Sequence, residues 1–167
     1  MAFFEIEQKY RVRDPKSVRR KLKALGIRKV RSGREESEFF DCQGILKKKK
    51  MALRLRRFQT GEAHLTLKGP ALRHRYSKRF ELELPVSYRQ TRATLRALGF
   101  RAVKKYVKQL KEDFRAGASK ISLDHLSKLG WFLEIEGAPE QISRLERRLG
   151  FKASDREKRS YFQLLFR

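Results

Sequence analysis

Arg79-Phe80-Glu81-Leu82-Glu83 alternates charged with apolar residues, and Leu84 continues the pattern. Side chains at positions i and i+2 of a β-strand lie on the same face, about 6 to 7 Å apart along the chain. The stretch therefore predicts a strand with one charged face and one apolar face.

The same division recurs in three other short stretches: Leu53-Arg54-Leu55-Arg56, Leu65-Thr66-Leu67-Lys68 and Leu133-Glu134-Ile135-Glu136. Two interpretations are open. The charged faces can lie in water on a half-exposed antiparallel sheet, or they can point into a closed barrel whose apolar outer faces are covered by helices. The second is favoured because these faces are almost purely ionic, whereas solvated strand faces usually also carry Thr, Ser and Gln.

Glu-x-Glu is the most unusual element of the pattern, because like charges two apart on one strand face repel each other. It occurs at Glu5 and Glu7, at Glu81 and Glu83, and at Glu134 and Glu136, and these pairs contain six of the 19 acidic residues. Clustered carboxylates are expected where a hard cation neutralises them.

Each Glu-x-Glu is followed by a proline, a helical pattern and a Leu-Gly pair. In the first unit Asp14 can cap the helix, Pro15 suits its first position and Gly26 can end it. The third unit repeats this arrangement from Pro139 to Gly150, and the second, before Gly99, is weaker. Three helices are therefore predicted.

Strand patterns lie between these helices, and most of their connections are short enough for antiparallel pairing. A count of seven or eight strands favours closure, which removes exposed edges. We expect an α+β fold, a closed eight-stranded antiparallel β-barrel with short helices packed on its outside. The predicted strands are 3–12, 52–58, 63–68, 78–84, 120–123 and 131–136, with 103–114 as a further strand and 160–166 as a closing strand.

The composition indicates one basic domain. A chain of 167 residues hardly suffices for two cores, and 43 Lys and Arg against 19 Asp and Glu give a net charge of +24. This excess predicts an anionic partner, such as nucleic acid, a lipid surface or a phosphate-rich small molecule.

No run approaches the roughly 20 apolar residues of a membrane span, and the first residues do not resemble a signal peptide. We therefore expect a cytoplasmic protein without a membrane segment. The single cysteine, Cys42, excludes an intramolecular disulfide.

Eight short motifs stand in the order found in a known family, and together they span almost the whole chain. The sequence resembles the CYTH superfamily of triphosphate tunnel metalloenzymes, which includes class IV adenylate cyclases, thiamine triphosphatases and inorganic triphosphatases. The motifs are Glu5-Ile6-Glu7-Gln8-Lys9, Phe39-Phe40-Asp41, Leu53-Arg54-Leu55-Arg56, Leu65-Thr66-Leu67-Lys68-Gly69-Pro70, Arg79-Phe80-Glu81-Leu82-Glu83, Leu123-Asp124, Phe132-Leu133-Glu134-Ile135-Glu136 and Ser160-Tyr161.

The resemblance implies one CYTH-like domain over residues 1–167, with a tunnel open at both ends and Mg²⁺ or Mn²⁺ as cofactor. The metal ligands that it implies are Glu5, Glu7, Glu134 and Glu136, supported by Glu83 and Asp124. The phosphate-binding residues that it implies are Lys9, Arg54, Arg56, Lys68 and Arg79. Lys9 is also the candidate to place or activate the attacking water or hydroxyl; its alternative role is a salt bridge to Glu5 or Glu7.

One stretch departs from the family pattern. Counting back from Asp124, the family's Lys-x-Arg falls on Gln109 and Lys111. Lys111 is kept as a phosphate-binding candidate, but it lacks the fork that arginine offers a phosphate. In this register the tunnel would lose part of its cationic lining.

Three functions remain open. The first is metal-dependent hydrolysis of inorganic triphosphate or a simple organic triphosphate, and the second is cyclisation of ATP to cyclic AMP and pyrophosphate. The third is a non-catalytic module that binds RNA or polyphosphate, which should need no metal and should lose affinity steeply with salt. Weak nucleic-acid or polyphosphate binding by the basic surface is also expected, as is a monomer or a homodimer.

Overall fold

The computed structural model describes residues 4–166, which form nine strands and five α-helices. The predicted start of the first strand at Phe3 lies outside the described residues. In chain order the elements are β1 (Phe4–Val12), α1 (Pro15–Ala24), β2 (Arg28–Asp41), α2 (Ile45–Lys48), β3 (Ala52–Phe58), β4 (Ala63–Leu72), β5 (Ser77–Pro85), α3 (Tyr88–Ala97), β6 (Arg101–Ala116), β7 (Ser119–Leu126), β8 (Gly130–Glu136), α4 (Pro139–Leu149), β9 (Arg156–Glu157) and α5 (Tyr161–Phe166).

Hydrogen bonding joins the strands in the order β5-β4-β3-β2-β6-β7-β8-β1-β9, and β5 also pairs with β1. This additional pairing closes the eight long strands into an antiparallel β-barrel and leaves the two-residue β9 beside β1. The predicted fold class is confirmed.

The chain divides into two compact units by its internal contacts. In the first unit, residues 4–5, 33–73 and 78–107, Leu95 of α3 packs on Phe40 and Leu55. In the second, residues 6–32, 74–77 and 108–166, Leu22 of α1 and Ile142 of α4 belong to the core that buries the apolar faces of β7 and β8. Helices therefore cover the apolar strand faces within each unit, as the alternation predicts.

The ends of α1 and α4 follow the predicted chemistry. The side chain of Asp14 accepts hydrogen bonds from the backbone N–H groups of Lys16 and Ser17, at 2.9 and 3.1 Å. Gly26 and Gly150 follow the two helices with φ of 69° and 77°, in the left-handed region that favours glycine.

Two segments differ from the sequence-based prediction. The closing strand expected at 160–166 is wrong, because Tyr161–Phe166 is a helix. Ser160 and Gln163 cap it reciprocally: the Gln163 N–H donates to Ser160 Oγ at 3.2 Å, and the Ser160 N–H donates to Gln163 Oε1 at 2.9 Å. The 14-residue strand β2 had not been predicted, because its first half carries no apolar alternation.

Candidate active site

Charged side chains of β3, β4 and β5 form one group, which we call the arginine cluster. Cross-strand pairing places it, since Arg54 lies opposite Thr66 and Thr66 lies opposite Glu83, while Lys68 lies opposite Glu81. The apolar neighbour Leu55 points to the other face and packs under α3. The cluster contains Glu5, Glu35, Arg54, Arg56, Thr66, Lys68, Glu81 and Glu83.

Ion pairs hold the arginine cluster together. Arg56 Nη2 lies 2.5 Å from Glu83 Oε2, and the Thr66 hydroxyl donates to the same oxygen at 2.9 Å. Lys68 Nζ lies 2.9 Å from Glu5 Oε2 and also pairs with Glu81. The Arg54 and Arg56 side chains are only 10% and 7% exposed, so the arginine side of these pairs is shielded from water, whereas the Glu83 side chain is 33% exposed.

Glu5 and Glu81 differ in proton affinity. Burial raises the pKa of Glu5 above the ordinary glutamate value of 4.5, and the hydrogen bond and charge of Glu81 add to this against the opposing charge of Lys68. Burial also acts to raise the pKa of Glu81, but the hydrogen bond from Glu5 and the charges of Lys68 and Arg54 outweigh it and lower that pKa. Glu5 is therefore the carboxyl of this pair that holds a proton more readily.

Three arginines on these strands carry buried donors without an acceptor. The Nε atoms of Arg54, Arg56 and Arg79 have no hydrogen-bond partner among residues 4–166. Arg79 lies on β5 two residues before Glu81, just after a register shift between β4 and β5. A buried N–H without an acceptor costs free energy, so these donors indicate a site for an anion with several oxygens.

A second group, which we call the lysine cluster, lies on β1, β6, β7 and β8. Lys9 lies opposite Glu134, and Glu134 lies opposite Ser122. Lys9 Nζ is 3.0 Å from Glu134 Oε1, and Lys108 Nζ is 2.8 Å from Asp124 Oδ2. The cluster contains Lys9, Lys108, Lys111, Asp113, Ser122, Asp124, Glu134 and Tyr161.

Buried hydrogen bonds link the rest of the lysine cluster. Lys111 Nζ donates to Ser122 Oγ at 2.9 Å and lies 3.1 Å from Asp113 Oδ1. The Tyr161 hydroxyl donates to Asp124 Oδ2 at 2.9 Å. The ammonium of Lys9 lies over the Tyr161 ring, 4.3 Å from its centroid. Tyr161 thus contacts both a carboxylate and a cation of the cluster.

The charge state of Lys9 bears on its predicted role. Burial acts to lower the pKa of Lys9, but the charges of Glu134 and Glu7 and the hydrogen bond to Glu134 outweigh it and raise that pKa above 10.5. Lys9 is therefore a cation at neutral pH. Its ammonium contacts the carboxylate of Glu134 at 3.0 Å, and the charge of Glu7 also acts on it.

The two remaining predicted metal ligands face each other. Glu7 of β1 lies opposite Glu136 of β8, and Lys120 Nζ lies 3.9 Å from Glu136 Oε2. Within residues 4–166, however, no three acidic, histidine or cysteine side chains form a group able to hold a metal ion. Glu134, Asp124 and Glu5 are instead neutralised by lysines. As arranged here, these carboxylates are held by the protein's own cations rather than as a preformed metal site.

The register assumed for β6 in the sequence is wrong at Gln109. Gln109 is exposed, and its side chain binds the backbone N–H of Ser127 at 2.8 Å and the Ser127 hydroxyl at 3.3 Å. Buried positions change phase along β6, so that Lys108 and Lys111 are both buried, 3% and 4% exposed. Lys108 supplies the buried cation that is missing when Gln109 is counted as the residue lining the tunnel.

Five residues of the clusters were not singled out from the sequence as site residues: Glu35, Lys108, Asp113, Ser122 and Tyr161. Lys108 lies in a basic stretch whose sequence does not reveal the change of phase. Glu35 is fully buried on the unpredicted strand β2, with an oxygen 3.7 Å from Arg56 Nη1. Tyr161 was recognised only as part of a terminal Ser-Tyr motif, and its contact with Asp124 depends on α5.

The family model of the CYTH domain matches residues 4–161. The chain belongs to the CYTH family. A protein of Methanocaldococcus jannaschii with the provisional name adenylate cyclase is 28% identical over 143 residues, covering 83% of this chain and 79% of the relative.

Two solved structures share the fold. A Vibrio parahaemolyticus protein, provisionally named an adenylate cyclase, superposes with a TM-score of 0.89 at 23% identity and covers 99% of both chains. A Hippeastrum protein described as a provisional adenylyl cyclase with a dominant triphosphatase activity has a TM-score of 0.70 at 17% identity, covering 96% of this chain and 93% of its own. The family is thus one of enzymes with triphosphatase-related or cyclase-like members.

Among residues 4–166, none of the helices combines the length and the apolar character that crossing a bilayer requires.

Proposed function

We propose that the protein hydrolyses a triphosphate, either inorganic triphosphate or a simple organic triphosphate. The observation that carries the proposal is the set of buried, unsatisfied Nε donors on Arg54, Arg56 and Arg79, which lie on β3 and β5. Non-bridging phosphate oxygens are strong acceptors, and a triphosphate offers enough of them to satisfy several guanidinium groups at once. The triphosphatase activity described for the Hippeastrum protein agrees with this assignment.

The cost of the buried charges gives independent support. Burying ion pairs is often no more favourable than burying apolar residues of the same volume, so two clusters of buried charge are poorly explained by stability alone. In the proposed reaction phosphate oxygens replace carboxylates as partners of Arg54, Arg56 and Lys68. Cations that contact the phosphoryl group stabilise the charge that develops on it.

In the hydrolytic step the oxygen of a water molecule attacks the terminal phosphorus. The bond from that phosphorus to the bridging oxygen breaks, and pyrophosphate leaves, or an organic diphosphate where the substrate is organic. The proton that the water loses passes to the leaving diphosphate or to bulk solvent. Within the lysine cluster, Lys9 and Lys111 are the cations that hold phosphate oxygens, since Lys9 is protonated at neutral pH. Within the arginine cluster Lys68 has that role, and Glu5 beside it is the carboxyl that holds a proton more readily.

We propose that Mg²⁺ or Mn²⁺ enters as the counterion of the triphosphate. Glu7 and Glu136, which face each other across β1 and β8, are the carboxylates that would receive it. Glu5, Glu83, Asp124 and Glu134 contact lysine or arginine, and Glu136 lies 3.9 Å from Lys120, so each would have to exchange that partner for the metal.

Cyclisation of ATP is the second candidate, and it is favoured by the name of the M. jannaschii relative. The two reactions share phosphate binding and differ in the nucleophile, which is water in one and the ribose 3′-hydroxyl in the other.

A product analysis decides between them. Purified protein is incubated with inorganic triphosphate or ATP, with Mg²⁺ or Mn²⁺, and the products are separated by ion-exchange chromatography. Phosphate release that EDTA abolishes supports the proposed hydrolase. Formation of cyclic AMP and pyrophosphate from ATP instead supports the cyclase. If neither product forms while RNA or polyphosphate binds without metal, the protein is a binding module.

A further inference from the structure

A cavity of about 390 Å³ lies beside α3, outside both clusters of the candidate active site. Its volume is in the range of small-ligand sites, roughly 300 to 1,000 Å³. Seven residues line it: Glu38, Arg57, Tyr88, Arg89, Arg92, Ala93 and Arg96. Four arginines against one glutamate leave a formal excess of three positive charges.

Two of these arginines are fixed by neighbours. Arg92 Nε donates to Glu38 Oε2 at 2.9 Å, and the Glu38 side chain is only 8% exposed. The guanidinium of Arg57 lies 4.6 Å from the centroid of the Tyr88 ring, and its Nη2 donates to Glu36 Oε2 at 2.9 Å. Preorganised donors lower the cost of binding an anion.

The other two arginines, Arg89 and Arg96, are exposed and have no acidic partner within residues 4–166. They lie two turns apart on α3 and, with Arg92 between them, line one side of the cavity. A guanidinium binds phosphate through two parallel hydrogen bonds, so three successive arginines along one helix face match a short chain of phosphates.

We propose that this cavity, the α3 cleft, binds a compact phosphorylated anion with at least two phosphate groups. The small volume, about 390 Å³, and the fixed positions of Arg57 and Arg92 favour a free small molecule over a nucleic-acid strand, which would need a longer groove. The inference does not depend on the proposed function, because none of the lining residues belongs to either cluster.

The test follows backbone amide signals by NMR while inorganic pyrophosphate is added to the full chain. The amides of residues 88–97 are expected to shift and to saturate. In the double variant Arg89→Ala/Arg96→Ala the apparent affinity at these amides should fall on the order of tenfold or more. A matched double variant on α4, Arg144→Ala/Arg148→Ala, removes the same charge from another exposed helix face and should leave the affinity at α3 unchanged.

Three results would overturn the proposal. They are no saturable shift at residues 88–97, an equal loss of affinity in the α4 control, or shifts caused by a single-stranded oligonucleotide but not by pyrophosphate. Because the readout is local to α3, hydrolysis of triphosphate elsewhere on the protein does not affect the outcome, and neither does its absence. All four substituted residues are exposed, so thermal unfolding of both variants should match the wild type.

Discussion

Glu7 of β1 lies directly opposite Glu136 of β8, so two carboxylates occupy facing positions on neighbouring strands. Like charges in such a pair destabilise a sheet, and the divalent cation proposed to enter with the substrate would relieve the repulsion. Two of the three Glu-x-Glu repeats in the sequence therefore meet at this pair, since Glu7 ends one and Glu136 ends another.

We predict that Glu136→Gln leaves the thermal stability of the metal-free protein unchanged or slightly higher, because relief of the repulsion from Glu7 offsets the loss of the 3.9 Å contact with Lys120. Saturating Mg²⁺ with a non-hydrolysable triphosphate analogue should raise Tm in the wild type, since a ligand that binds the folded state stabilises it. In Glu136→Gln this increase should be largely lost. Differential scanning fluorimetry measures both, with Glu140→Gln on α4 as a control that keeps the full increase.

The acid stability of the protein should depend on Asp113. Burial acts to raise its pKa, but the charge of Lys111, the hydrogen bond from Ser122, the charge of Lys120 and the hydrogen bond from Arg31 outweigh burial and hold that pKa well below the ordinary 3.8. A carboxyl with a lowered folded-state pKa contributes stability above its unfolded-state pKa and loses it as the pH falls toward the folded-state value.

The free energy of unfolding of the wild type should therefore decrease as the pH falls below about 4. In Asp113→Asn the unfolding free energy at neutral pH should be lower, and its decrease on acidification shallower. Urea unfolding at several pH values provides the measurement, with Glu140→Gln for comparison. Parallel pH curves for wild type and Asp113→Asn would contradict the assignment.

Lys108 and Gln109 are adjacent on β6, but only Lys108 belongs to the lysine cluster. Lys108→Gln should lower kcat for triphosphate hydrolysis at least tenfold, about 1.4 kcal/mol in the barrier, because it removes a buried cation from the site. Gln109→Ala should leave kcat within about twofold, as its side chain binds only Ser127. A steady-state assay of phosphate release by both variants measures these changes. An equal loss of kcat in the two variants would support the register inferred from the sequence, in which Gln109 lines the tunnel.

The sequence predicts the fold well where local chemistry is strong. Alternation on β3 separates Leu55 from Arg54 and Arg56, and Asp14 with Gly26 marks the ends of α1. The order of eight motifs indicates the closed barrel, which the pairing of β5 with β1 confirms.

What the sequence does not reveal depends on contacts between distant segments. The first half of β2 carries no apolar alternation, and the pairing with β3 lies in the second half, from Glu35 to Phe40. The phase change on β6, which buries Lys108 and exposes Gln109, leaves no signature in a run rich in Lys. For α5, the capping pair of Ser160 and Gln163 was available in the sequence, but the alternation of six residues fits a strand equally well.

The most direct test of the central claim compares Arg54→Lys with Arg57→Lys in phosphate release from inorganic triphosphate. Both positions lie on β3 and both substitutions keep the charge, but the buried Arg54 belongs to the arginine cluster, whereas Arg57 is exposed and pairs with Glu36. Lysine cannot reproduce the guanidinium fork. The account predicts a metal-dependent kcat/KM that falls ten- to a hundredfold in Arg54→Lys, about 1.4 to 2.7 kcal/mol, and stays within about twofold in Arg57→Lys. Wild-type protein that releases no phosphate from triphosphate, or an Arg54→Lys variant as active as wild type, would contradict it.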